Sequence, residues 1–294
     1  MPEYMNVIPK FSHPPERVVS LVPSLTESMF DLGLGSTLVG ITDYCVYPSP
    51  DVDSLPRLGG PKNPRVEDIV SLKPQLVLAN QEENTPAVVE ALQDAGIDVW
   101  VSFPKTAREA VETLWELVEI FRNLQAGFRI HTLEYSLEWA ERALETINPM
   151  RTFCPIWQDI AGDGTRWWMV FNRSTYAHDV LRLAGGLNIF AGRERRYPLD
   201  ADLGRIEPQS LGDRDVRYPR ITLEEIFQLE PEVILLPSEP FPYDESHLEI
   251  LREQFAGTPA VEKDQVYRID GSLITWHGTR LAKALRELPV IFQG

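Results

Sequence analysis

The sequence predicts an α/β fold of two lobes, each a parallel sheet flanked by helices, joined by one long backbone helix. Three observations predict it: a helix–Pro–strand phrase that occurs twice, a strand–helix–Gly phrase upstream of each copy, and one amphipathic stretch between the halves. The first phrase is V-E-D-I-V-S-L-K-P-Q-L-V-L-A at Val66 to Ala79 and L-E-E-I-F-Q-L-E-P-E-V-I-L-L at Leu223 to Leu236. Glu67/Glu224, Ile69/Ile226, Leu72/Leu229, Pro74/Pro231 and Leu78/Leu235 are identical. Each copy reads as a short helix, a Pro that ends it, and an apolar run of the kind buried on both faces of a parallel sheet. Asn63 with Pro64 at the first helical position is expected to start the first helix. Thr222 with Glu225 forms a capping box for the second.

The second phrase starts with the strand-like run Arg17 to Val22. It passes through Pro23-Ser24 into a helix from Leu25 to Leu32 that Gly33 and Gly35 stop. In the other half Trp167 to Phe171 is the strand, Tyr176 to Leu183 the helix, and Gly185-Gly186 the stop. Glycine supplies the left-handed residue that closes a helix. Gly33-x-Gly35 follows a helix, so it is no dinucleotide loop. Alternating strands and helices imply parallel sheets with helices on both faces.

Between the halves, Lys105 to Phe121 reads as one helix and Gln125 to Ile147 as the next. In the latter, Ile130, Leu133, Leu137, Ala140, Leu144 and Ile147 recur at alternating steps of three and four, a single stripe. About 23 residues at ~1.5 Å each give a connector of roughly 34 Å. The domains are accordingly residues 1–122, a linker helix over 123–149, and residues 150–294. The stretch from Ala191 to Arg220, with seven arginines and many turn residues, is expected to be an irregular loop.

The net charge is −16, which repels phosphate backbones and excludes nucleic acid as a natural partner. No apolar run is long enough to span a bilayer, and Met1 to Arg17 contains no hydrophobic signal core. The two cysteines, Cys45 and Cys154, form no C-x-x-C motif, and the sequence leaves open whether they are free or bridged. The five histidines lack metal-ligand spacing, so no protein-built metal site is expected. No catalytic residue is assigned: G-x-S-x-G and H-E-x-x-H are both missing, and Asp270 with His277 is the one suggestive acid–base pair.

Together with the phrase at Val66 to Ala79, three further runs carry a family resemblance: V-V-S-L-V-P-S-L-T-E at Val18 to Glu27, G-I-T-D-Y-C-V-Y-P at Gly40 to Pro48, and A-G-G-L-N-I-F at Ala184 to Phe190. From Arg17 to Leu288 the chain resembles the class III substrate-binding proteins of ABC importers, in the cobalamin-binding and iron-complex-binding branch. The resemblance implies a receptor, not an enzyme, that holds its ligand between two lobes. It implies no intrinsic cofactor. The ligand would be cobalamin or another corrinoid, with haem or a ferric siderophore as related possibilities. An ABC permease would be the partner, the monomer the working form, and the location extracytoplasmic. With no signal peptide in the sequence, a cytoplasmic corrinoid or haem carrier or sensor stands as the alternative. A chelatase-type tetrapyrrole enzyme is a second one.

Ligands of such folds bind outside the carboxyl ends of parallel strands. That rule selects Pro23 and Ser24, Tyr44, Gly59, Gly60 and Pro61, and Asn80 and Gln81 in the first half. In the second it selects Asn172, Arg173 and Tyr218, then Asp270, Trp276 and His277 near the end of the chain. By position, Tyr44, Tyr218 and Trp276 look like the family's aromatic wall, although the Trp that the family often has near Pro61 is missing. His277 reads either as a ligand to a metal or an amide, or as a cap on the last helix. Glu67 and Glu224 match the acidic pair with which transport members dock onto permease arginines.

Overall fold

Short apolar runs bounded by Pro and Gly become the strands of two separate parallel sheets in the computed structural model, which describes residues 8–293. The expectation placed on Met1 to Arg17 therefore falls partly outside the described residues. In the first half the elements are β1 (Val18–Ser20), α1 (Pro23–Asp31), β2 (Leu38–Ile41), β3 (Gly59–Gly60), β4 (Asn63–Pro64), α2 (Val66–Ser71), β5 (Leu76–Asn80), α3 (Pro86–Asp94), β6 (Asp98–Ser102) and α4 (Ala107–Phe121). The sheet order is β2-β1-β5-β6, all parallel. Every residue of β5 is buried, as its unbroken apolar run demands. Val19, Leu21, Ile69, Val77 and Leu92 form the core between sheet and helices.

A 20-residue helix, α5 (Leu124–Ala143), follows. Ile130, Leu133, Leu137 and Ala140 are its buried stripe. Ile147 lies past the helix end and is exposed, so the helix is shorter than the apolar repeat suggests.

The second half contains β7 (Met150–Phe153), β8 (Trp157–Ile160), β9 (Arg166–Met169), α6 (Tyr176–Ala184), β10 (Gly186–Asn188), α7 (Leu199–Asp202), β11 (Arg220–Ile221), α8 (Leu223–Gln228), β12 (Val233–Pro237), α9 (Glu245–Gln254), α10 (Pro259–Glu262), β13 (Val266–Ile269), α11 (Ser272–Thr275) and α12 (Leu281–Glu287). Its parallel sheet runs β10-β7-β12-β13. The strand expected at Trp167 to Phe171 exists as β9, but it belongs to a separate antiparallel sheet, β11-β9-β8. The turn between β8 and β9, where Gly164 takes φ +88°, folds the chain into a hairpin, and a hairpin cannot pair in parallel. Phe153 meets Trp168, Phe190 and Phe255 edge-on at the centre of this half's core.

The repeated helix–Pro phrase proves alike down to the backbone. Lys73 (φ +49°) and Glu230 (φ +44°), each just before the Pro, both take the left-handed turn that redirects the chain into β5 and β12. The Thr222–Glu225 capping box forms. Asn63 and Pro64 do not start α2. They pair with Gly60 and Gly59 as a two-residue ladder, and the helix begins at Val66 with Arg65 as its cap residue.

The chain divides into two compact units. One comprises the described residues up to Leu137 together with Trp276–Ala282, and the other Glu138–Thr275 with residues 283–293. Trp276 and His277 thus pack with the N-terminal unit, not with the lobe 150–294 in which sequence order places them.

Candidate functional site

In the N-terminal unit, polar side chains gather where β1 and β5 end and where the segment Trp276–Ala282 returns. Pro23 and Ser24 open α1 and are buried. His277 is buried beside them, its Nε2 3.4 Å from Ser24 Oγ and 3.2 Å from Asn80 Nδ2. Asn80 Nδ2 also donates to Ser102 Oγ at 3.2 Å, and the Asn80 backbone N–H donates to Asn84 Oδ1 at 2.8 Å. Asn84 Nδ2 in turn donates to the Pro61 carbonyl at 2.9 Å, while the Gln81 N–H donates to the Ser102 carbonyl at 3.0 Å. Burial pushes His277 down to about 4, so at neutral pH its imidazole is uncharged and Nε2 accepts from Asn80. The side chain makes no capping bond to the following turn, Gly278–Arg280. Of the two sequence readings, the cap is therefore removed.

Around this buried cluster lies an aromatic surface. Tyr47 and Trp276 meet edge-on with centroids 5.9 Å apart. The Arg280 guanidinium sits over both rings, 4.5 Å from Tyr47 and 5.2 Å from Trp276. It is held there by a two-pronged pair with Glu27, both bonds 2.7 Å long. Gly278 at φ +87° lets this segment lie against α1: a Cβ there would stand 2.3 Å from Ser28 Oγ. The Thr279 N–H donates to the same Oγ at 3.1 Å. Tyr44, 64% exposed, projects beside Gly60. The sequence reading missed Tyr47, Glu27 and Arg280, although the first two stand inside runs it quoted and Arg280 follows His277 by three residues. The signal available was the pair of opposite charges in S-L-T-E and W-H-G-T-R.

In the second unit, Tyr218 is half-buried with the Arg217 guanidinium 5.2 Å from its ring. Asn172 holds a turn, accepting from the Ser174 N–H at 3.0 Å and donating to the Val216 carbonyl at 3.2 Å. Arg173 Nε donates to the Ala191 carbonyl. Burial works to raise the Asp270 carboxyl, but bonds from Ser272 and Lys283 outweigh it and hold it below the usual range. Asp270 and His277, offered by the sequence as an acid–base pair, are each engaged within a different unit. Glu67 and Glu224 are exposed in the first turns of α2 and α8.

Both cysteines are free and buried, and burial raises both thiols, so neither is a ready nucleophile. Among the described residues there is no cluster of three His, Cys, Asp or Glu that could hold a metal ion, and no helix long and apolar enough to cross a membrane. The N-terminal unit offers an exposed aromatic face with a cation behind it and neutral amides close by. Such a surface suits stacking against a flat, largely apolar body with polar edges.

The chain is similar to known proteins over most of its length. A family model described as periplasmic binding protein matches residues 18–273. The vitamin B12-binding protein of Vibrio cholerae is 24% identical over 276 residues, covering 94% of this chain and 88% of that protein. The vitamin B12-binding protein of Photorhabdus laumondii is 27% identical over 231 residues, 77% of this chain and 74% of its own length. Among solved structures, the periplasmic vitamin B12-binding protein BtuF of Vibrio cholerae is similar with a TM-score of 0.73 at 23% identity, over 96% of this chain and 98% of that one. The periplasmic haem-binding protein RhuT from Roseiflexus gives 0.72 at 21%, over 94% and 97%.

Proposed function

The chain belongs to the periplasmic binding protein family, and on that footing we propose that it is the substrate-binding receptor of an ABC importer for a corrinoid or a related metal chelate. The observation that carries the ligand class is the aromatic surface of Tyr44, Tyr47 and Trp276 backed by Arg280. Tyr218 serves as the aromatic contact of the second unit. Asn80 and His277 hold the floor beneath the N-terminal aromatic face in one geometry. The relatives bear on the same choice, being proteins that bind vitamin B12 or haem. The receptor works outside the cytoplasm and performs no chemistry on what it captures.

Titration with cobalamin, cobinamide, haem and a ferric siderophore, followed by tryptophan fluorescence, tests this. At least one is expected to quench saturably, and Trp276→Ala to weaken that ligand about tenfold, the size of one lost aromatic contact. If none of the four binds, the chelate reading is wrong.

Glu67 and Glu224 are the docking residues for the permease in this proposal. They are exposed, occupy matching positions in α2 and α8, and among the described residues have no side-chain hydrogen bond beyond the 3.4 Å contact from Gln228 to Glu224. Reversing both charges to Lys is expected to abolish uptake by cells carrying the importer while ligand affinity stays within about twofold. A matching fall in affinity would instead assign the two carboxylates to the fold or the pocket.

A further inference from the structure

The arginine-rich stretch between Ala191 and Arg220 is, as expected, loop for most of its length, with α7 as its only helix. It winds around one buried carboxylate, Asp202, which accepts from the backbone N–H groups of Arg196 (3.0 Å) and Arg220 (2.7 Å) and pairs with Arg193 at 3.0 Å. Arg193 also pairs with Glu225 at 3.0 Å, Arg205 with Asp163 and Asp200, and Arg217 with Asp215. Those arginines are accounted for by the fold.

The Arg220 guanidinium lies over the Trp167 ring at 5.8 Å, which leaves three others. Arg195, Arg196 and Arg214 form no ion pair with a carboxylate of the described residues. The Arg195 guanidinium lies 4.2 Å from the Tyr197 ring centroid and that of Arg214 lies 5.0 Å from the same centroid, which puts the two cations within about 9 Å of each other. Tyr197 is fixed from its far end, its hydroxyl donating to the Asp215 carbonyl at 2.7 Å. The Asp215 carboxylate itself is taken by the Arg217 fork. Two like charges converging on one ring repel each other, and the Asp202 and Asp215 carboxylates, whose ionised forms the Arg195 charge favours, offset this without forming an ion pair to Arg195. Arg195 and Arg196 moreover line a cavity of about 330 Å³ with Gly192, Pro208 and Leu211. Its lining includes one unburied acid, Glu194, whose carbonyl accepts from Arg193.

We propose that Arg195 and Arg196, which line this cavity, form a second binding site for a small organic oxyanion, with Arg214 adding its charge over the shared Tyr197 ring. Guanidinium groups recognise carboxylate and phosphate through paired N–H donors, and the Pro208 and Leu211 wall takes an apolar body behind the charged group. A bound anion also relieves the repulsion between Arg195 and Arg214. The site lies wholly within the second unit, shares no residue with the aromatic surface of Tyr44, Tyr47 and Trp276, and goes beyond the receptor role.

Calorimetric titration of the intact protein with citrate and with glycerol 3-phosphate, at matched ionic strength set by chloride, tests the proposal. Saturable one-to-one binding of at least one probe is expected. Tighter binding of citrate assigns a carboxylate ligand, and tighter binding of the ester a phosphate one. The double variant Arg195→Gln/Arg214→Gln is expected to weaken binding at least about tenfold. Should that variant fail to fold, Arg196→Gln at an exposed position carries the test and should weaken binding severalfold. Absence of saturable binding up to about 10 mM of either probe overturns the site. So does binding that the arginine substitutions leave unchanged. Cobinamide titrations of the same variants should match the unsubstituted protein, so failure here and failure of the receptor reading are told apart.

Discussion

Replacing Arg280 by Ala is expected to cost about 3–5 kcal/mol of folding stability, the range for breaking a buried ion pair on one side only. The Arg280 side chain is 4% exposed and that of Glu27 is 15% exposed. Removing the guanidinium leaves a carboxylate out of water with its two 2.7 Å donors gone. It also strips the cation from the faces of Tyr47 and Trp276, so the aromatic surface loosens. Arg280→Lys keeps the charge but not the fork, and should recover only part of the loss. Urea denaturation measures this directly. A shift of less than about 1 kcal/mol would mean that the pair behaves like a surface ion pair and holds nothing in place.

Acidification is expected to remove about 3 kcal/mol through His277 alone. The folded-state value near 4 lies below the ordinary value of 6.5, because burial disfavours the cation. Between those two pH values the unfolded chain binds the proton and the folded chain does not, so stability increases with pH across that window. The full contribution is present above pH 6.5, is lost progressively as pH falls, and is gone below pH 4. Denaturation midpoints measured at half-unit steps should show this slope, and His277→Gln should flatten it. Equal slopes in both proteins would place the titrating group elsewhere.

The sequence made the parallel sheets legible because both depend on local signals: apolar runs too short for helices, each closed by Pro or Gly. The helix–Pro phrase was readable down to its cap at Thr222. The β8–β9 hairpin was missed because Trp167 to Phe171 is as apolar as a parallel strand, and strand direction is set by the turn before it, not by the strand. Asn63-Pro64 misled because Pro suits the first turn of a helix and a short edge ladder equally well. The site was legible only in pieces. Tyr44 and Trp276 were named from where they fall after strands. Their support, the Glu27–Arg280 pair, joins positions 253 residues apart, and the two opposite charges, though visible in the sequence, carry no local sign that they meet. Asp202 was hidden for a similar reason. A lone acid in a loop gives no sign of being the buried hub for two backbone N–H groups and an arginine.

The return of Trp276–Ala282 to the first unit bears on how the polypeptide can be assembled and dissected. During synthesis the opening half waits, with Glu27, Ser24 and Asn80 uncompleted, until nearly all of the second has emerged. A fragment cut at the end of β13 would hold every strand of both parallel sheets and still lack the latch on α1. Each half is therefore discontinuous in sequence, and grafting or expressing either one alone requires rerouting the chain.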